Sequence, residues 1–177
     1  MALYASRVEY GLHCLLYLVG PSGPIKANVA DLAKLQGISP TFVAKLFTKM
    51  KKGGLVTASE GAGGGYILAR PPAEITVWDA VVALEGSKAL FKCTEVRLNC
   101  ALFGASPPAW AKKGVCSIHA VMQEAERRMQ QTLDAYTLAD LAQQVERKAP
   151  KEFLNEVNTW FERPKIRPGE HLHRKKR

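Results

Sequence analysis

Negative charge is scarce in this sequence: 16 Asp and Glu stand against 25 Lys and Arg, leaving a net charge of +9 across 177 residues. That balance suits a polyanionic partner and argues against a basic one. No run of about 18 apolar residues occurs, so no membrane-spanning helix is expected. Arg7, Glu9 and His13 interrupt any secretory-signal pattern at the N-terminus, and a cytoplasmic protein is expected. Cysteines are few, four in all, and in such a chain they point to metal ligation or free thiols rather than structural disulfides. A nucleotide-binding loop is also missing. Gly61, Gly63, Gly64 and Gly65 are not followed by Gly-Lys-Ser/Thr, and the following Tyr66-Ile67-Leu68 reads as a strand, not the helix of a dinucleotide fingerprint. No nucleophile–base set appears, and an enzyme is not expected.

The most informative stretch is Ile38 to Leu68. Ser39 suits an N-cap and Pro40 the first helical position. Phe42, Val43, Leu46, Phe47 and Met50 recur at helical spacing and form an apolar stripe. Thr41, Lys45, Thr48, Lys49 and Lys52 are set against that stripe as the polar front, and Gly53-Gly54 stop the helix. Upstream, Asn28 to Leu35 reads as a short capped helix, and Gly37 permits a sharp turn into Ser39. Helix, turn and basic helix make a helix-turn-helix. The strand–glycine–strand segment after it makes a wing. The fold expected is mainly α with a small β-hairpin, a winged helix-turn-helix DNA-binding domain over residues 1–86. Charge supports this: residues 25–52 carry +5 and residues 163–177 carry +6. Positive charge is therefore concentrated in the helix-turn-helix and the C-terminal tail.

Flanking segments are assigned in the same way. Ser6 and Glu9 have the spacing of a capping box opening the first helix, where Cys14 sits among leucines as a buried, inert thiol. Thr76 caps a helix to Leu84. Ser117 is expected to cap a long helix, 118–135, with Ile118, Val121, Met122, Ala125, Met129 and Leu133 as a packing seam. A helix this long beside so small a domain suggests a homodimer. Residues 117–148 are read as this dimerisation helix plus a short helix capped by Thr137. Residues 149–177 are read as a C-terminal extension, basic and partly disordered, with a turn or two of amphipathic helix near Phe153 to Phe161.

Between the two domains, residues 87–119 form a cysteine-rich loop. Cys93, Cys100, Cys116 and His119 are spaced C-x6-C-x15-C-x2-H. Thiolates with an imidazole suit zinc or an iron–sulfur cluster. Spacing alone leaves scattered free cysteines equally open.

Taken together, Tyr10, Ile38-Ser39, Leu46-Phe47, Gly54-Leu55-Val56, the Gly61-x-Gly63-Gly64-Gly65-Tyr66-x-Leu68 wing, the three downstream cysteines and Thr137 to Leu141 resemble the Rrf-two family of bacterial winged-helix regulators, the group of IscR, NsrR and RirA. The resemblance covers about residues 1–148. It implies a homodimer reading an imperfect palindrome in double-stranded DNA through Ser39, Thr41, Lys45, Thr48, Lys49, Lys52, Gly63 and Gly64. It also implies an iron–sulfur cluster on Cys93, Cys100, Cys116 and His119, of the 2Fe–2S type if His119 ligates and 4Fe–4S if it does not. The expected function is transcriptional regulation sensing redox state, nitric oxide or iron and cluster status. The alternatives are a cluster-free thiol switch and a zinc-stabilised DNA binder. The chain departs from the family in its long second cysteine spacing and in Glu60, which stands where the wing commonly carries a basic residue.

Overall fold

The computed structural model describes residues 4–59, 64–87 and 89–162. Expectations for Glu60, Gly61, Gly63 and the 163–177 tail fall outside these residues. Eight α-helices and a two-stranded sheet are found in the described chain: α1 (Ser6–Val19), α2 (Val29–Gln36), α3 (Pro40–Lys52), β1 (Val56–Ser59), β2 (Gly65–Leu68), α4 (Val77–Glu85), α5 (Ala109–Lys112), α6 (Ser117–Asp134), α7 (Leu138–Lys148) and α8 (Lys151–Glu162).

Local sequence explains most of the boundaries. Asn28 caps α2 by accepting the Asp31 N–H, and Ser39 caps α3 by accepting the Phe42 N–H at 3.2 Å. Gly37 ends α2 in the left-handed conformation, φ +65°, which a side chain would strain. Thr76 and Thr137 each form a full capping box, with Asp79 and Asp140 three residues on. The two capped ends are also joined. Val77 N–H donates to the Tyr136 carbonyl at 2.8 Å and Leu138 N–H to the Ile75 carbonyl at 2.9 Å, which locks the start of α4 to the start of α7.

Two expected caps are corrected. Ser6 is the first helical residue of α1, not its cap; the N-cap is Ala5, whose N–H donates to the Glu85 carboxylate at 3.2 Å. An acceptor from α4 therefore replaces the local box. Ser117 is likewise inside α6, and Cys116 holds the N-cap position. The C-terminal extension is also more regular than expected, since α8 makes three full turns.

Strands β1 and β2 pair antiparallel, with Val56 opposite Leu68 and Ser59 opposite Gly65. A third backbone joins them: Ala27 and Tyr66 exchange both N–H to O bonds, at 3.1 and 2.7 Å. Gly65 is needed for this approach, because a Cβ there would lie 2.7 Å from the Ala27 carbonyl oxygen. The core lies between α1, α3, α4 and the wing, with Leu15, Leu18, Phe47, Met50, Ile75 and Leu84 all fully buried. Phe47 sits with its ring centroid 4.5 Å from that of Tyr66, fixing α3 to the wing. Truncating Phe47 to Ala should cost about 3–5 kcal/mol in denaturant-induced unfolding; a loss under about 1 kcal/mol would mean that this contact does not hold the head together.

Candidate nucleic-acid interface and metal loop

Two separated faces of α3 follow from its 3.6-residue period. Val43, Leu46, Phe47 and Met50 point into the core. Thr41, Lys45, Thr48 and Lys52 recur at i, i+4, i+7 and i+11, so they share the opposite face, and all four are exposed. The Thr48 hydroxyl donates to its own helix at the Ala44 carbonyl, 2.9 Å away. Lys49 lies at the edge of this face, and its ammonium donates to the Leu84 carbonyl at the end of α4, at 2.6 Å. Lys49 thus braces α3 on α4, a tertiary role its spacing does not reveal. Ser39 is exposed and its hydroxyl serves as the cap. Gly64 is exposed beside the hairpin, while Gly63 lies outside the described residues.

The cysteine loop gathers a different donor set from the one that spacing suggests. Ligand atoms of Cys93, Glu95 and His119 all lie within 4.8 Å of one another. Cys100 and Cys116 lie outside that group; Cys100 is exposed and Cys116 half-buried. Glu95 is absent from the expected set, which consists of soft thiolates and an imidazole. Its one signal in the sequence is a carboxylate two residues after Cys93. Glu95 is held in a left-handed conformation, φ 53°, and it is the one non-glycine residue with positive φ among the described residues. Its N–H donates to Cys93 Sγ at 3.4 Å. Arg97 Nε donates to the Glu95 carboxylate at 2.8 Å and its guanidinium also donates to the Gly114 carbonyl at 2.7 Å, which closes the long insertion back on the loop start. The Arg97 hydrogen bond holds the Glu95 carboxyl below its ordinary range. The His119 ring stands 6.0 Å from that of Phe91.

Cys116 is chemically the distinct thiol. The backbone N–H groups of His119 and Ile118, at the start of α6, stabilise its thiolate and lower its pKa, as expected at a helix N-terminus. Cys14 is the opposite case: fully buried, it accepts from the Gln36 amide, and burial pushes its thiol up to about 11. Alkylation by iodoacetamide, followed by peptide mass spectrometry across pH 6–9, should therefore label Cys116 at lower pH in the folded chain than in the urea-unfolded chain. Cys14 should stay unlabelled until the chain unfolds. An identical pH profile for Cys116 in the folded and unfolded chain would contradict the helix-terminus effect.

Among the described residues no helix is long and apolar enough to cross a membrane. The family model for Rrf2, described as an iron-dependent transcriptional regulator, matches residues 4–144. The chain is 33% identical over 136 residues to protein rrf2 of Nitratidesulfovibrio vulgaris, covering 77% of this chain and 84% of that protein. It is 32% identical over 133 residues to the HTH-type transcriptional regulator NsrR of Geobacillus kaustophilus, covering 75% and 84%. The solved structure of T. potens IscR superposes with a TM-score of 0.60 at 25% identity, covering 87% of this chain and 96% of that one. With its basic helix set beside a β-hairpin wing, this chain belongs to the Rrf2 family of winged-helix transcriptional regulators and is not an enzyme.

Proposed function

We propose that the chain binds double-stranded DNA as a homodimer and regulates transcription according to the state of an iron–sulfur cluster held in the 87–119 loop. The observation that carries this reading is the convergence of Cys93 and His119 at the start of α6, in a chain whose exposed basic helix is built for DNA. Sulfur and imidazole donors fit iron. Cys93, Cys116, His119 and Cys100 are the residues that would hold the cluster, with Glu95 as a further oxygen donor. Such a cluster supplies reversible one-electron chemistry and sensitivity to oxygen, nitric oxide and iron supply.

The chain's own residues supply the rest of the function. Thr41, Lys45, Thr48 and Lys52 meet the major groove and its phosphates: lysine as a point charge or guanine reader, threonine against a thymine methyl. Ser39 holds the start of α3 against the DNA, Lys49 positions the helix through Leu84, and the wing backbone at Gly63 and Gly64 approaches the neighbouring phosphates. Dimerisation runs through α6, which buries none of its own residues in the single chain; Ile118 and Val121 are 67% and 69% exposed. Met129 and Leu133, lower on the same helix, are already used by their own chain, Met129 against the Tyr4 hydroxyl and Leu133 against the core. The dimer seam is accordingly the first half of α6, next to the loop. Two heads arranged about such a seam would read the two halves of an imperfect palindrome.

A second reading is favoured by the lowered Cys116 thiol and the exposed Cys100: a cluster-free switch in which these thiols are oxidised directly. Zinc is a third occupant compatible with Cys93, Glu95 and His119. Anaerobic purification separates the three. A coloured protein with bound iron and labile sulfide, lost on Cys93→Ala, is the expected result. A colourless protein whose mobility changes on oxidation would favour the thiol switch, and stoichiometric zinc with DNA affinity indifferent to oxidants would favour the structural metal.

A further inference from the structure

The C-terminal helix α8 folds back onto the helix-turn-helix. Val157 is buried, and the Phe161 ring centroid lies 6.2 Å from that of Tyr17 on α1. The Asn158 amide donates to the Ser22 hydroxyl at 2.7 Å. Trp160 reaches α2: its indole N–H donates to the Asp31 carbonyl at 3.3 Å, and the Lys34 ammonium stands 5.5 Å from the indole ring centroid. These attachments fall within the last six residues of α8 and hold its end against α1, the loop after it, and α2. Between α8, α1 and α7 lies a cavity of about 200 Å³, with Leu16, Val145, Phe153, Leu154 and Val157 in its wall. Val145 and Phe153 remain 42% and 46% exposed, so the chain leaves apolar surface uncovered there.

An apolar cavity with a few polar groups is the usual form of a small-molecule site. A dry cavity of roughly 150 Å³ takes up benzene, so this one has room for an aromatic ring with a short side chain. The rings of Tyr17 and Phe153 in the wall suit edge or offset packing against such a ring. The polar lining adds His13 and Glu146. Neither side chain has a hydrogen-bond or ion-pair partner among the described residues. Glu146 is the one acid of the lining, and no Lys or Arg lines the cavity. The site's fixed charge is therefore negative, and it complements a cation. A neutral His13 imidazole can accept a further N–H. We propose that this cavity binds a small aromatic amine, with its ring between α1 and α8 and its ammonium on the Glu146 carboxylate. The site shares no residue with the cysteine loop. Its occupant would fix α8, whose end holds α2, the first helix of the helix-turn-helix, and so acts as an effector of the DNA-binding head. The effector role rests on the DNA-binding reading above; the binding itself does not.

The test titrates the full-length protein by calorimetry with phenethylamine, its neutral isostere 2-phenylethanol and the anionic phenylacetate. Phenethylamine should bind at one site with a Kd below about 1 mM. It should bind about fivefold tighter than 2-phenylethanol, and phenylacetate should bind weakest. Glu146 is exposed, so Glu146→Gln leaves the fold intact; it should bring phenethylamine down to the affinity of 2-phenylethanol. Ala142 is half-buried in the wall, and Ala142→Phe should fill the cavity and abolish binding of both while circular dichroism shows the helices retained. Amide hydrogen exchange should show added protection of residues 151–162 when phenethylamine is bound. Binding of none of the three probes, equal binding of all three, or an unchanged phenethylamine affinity in Glu146→Gln overturns the inference. The effector role is read by fluorescence anisotropy on a duplex selected by the protein. Saturating phenethylamine should change duplex affinity severalfold in the wild-type chain and leave it unchanged in Ala142→Phe. Unchanged duplex affinity with the amine bound overturns the effector role. A chain that binds the amine and no duplex supports the site and fails the DNA-binding reading.

Discussion

At the C-terminal end of α4, two consecutive residues hold two different helices. The Leu84 carbonyl accepts the Lys49 ammonium of α3, and the Glu85 carboxylate takes the Arg7 guanidinium and the Ala5 N–H of α1. A helix C-terminus favours a cation such as Lys49 because its last carbonyls lack intrahelical donors. The Leu84 side chain is buried and lies so close to Gly11 of α1 that a Cβ there would collide with it. The orientation of the basic helix relative to the rest of the head thus depends on where α4 ends. The chain enters the cysteine loop immediately afterwards.

That placement gives the proposed sensor a physical route to the DNA face. The loop runs from the end of α4 to the start of α6, and both helices are tied down on the head side. The Thr76 hydroxyl donates to Asp134 near the end of α6 at 3.0 Å, and the Leu90 N–H donates to Glu126 on the same helix at 3.3 Å. The start of α6 is less secured among the described residues: its Ile118 and Val121 are exposed, and a cysteine, Cys116, rather than a hydroxyl residue holds its N-cap position. A change at Cys93, Cys116 or His119 would fall on this end of α6, where the partner chain is proposed to pack. In the proposed dimer, the relative placement of the two heads would decide the fit to a palindromic site.

Features set by nearest neighbours in sequence were legible, and those set by distant chain were not. Helix α3, its Ser39 cap and its apolar stripe, the wing, and the Thr76 and Thr137 caps all depend on residues within a few positions of one another. The cap of α1 escaped the sequence because its acceptor, Glu85, lies about 80 positions away. Ser117 failed as a cap because the chain turns one residue earlier, at Cys116. Lys49 looked like one more front-face cation, since spacing reports a helix face but not the carbonyl beyond its edge. Glu95 was invisible for a related reason: only the left-handed turn at that residue and the Arg97 bridge to Gly114 bring its carboxylate to Cys93 and His119. Helix α8 was underestimated because its Asn158, Trp160 and Phe161 gain their meaning from Ser22, Asp31 and Tyr17, more than 100 positions upstream.

The central claim is tested most directly by operator affinity in two states of one preparation. An operator would first be selected from random duplexes by the anaerobically purified protein. Its dissociation constant would then be measured for that protein and for the same protein after removal of bound iron under reducing conditions, at one fixed salt concentration. A loop that governs the DNA-binding heads predicts a change of at least tenfold, about 1.4 kcal/mol, abolished by Cys93→Ala. Equal affinity in the two states, with iron demonstrably bound in one of them, would contradict that coupling.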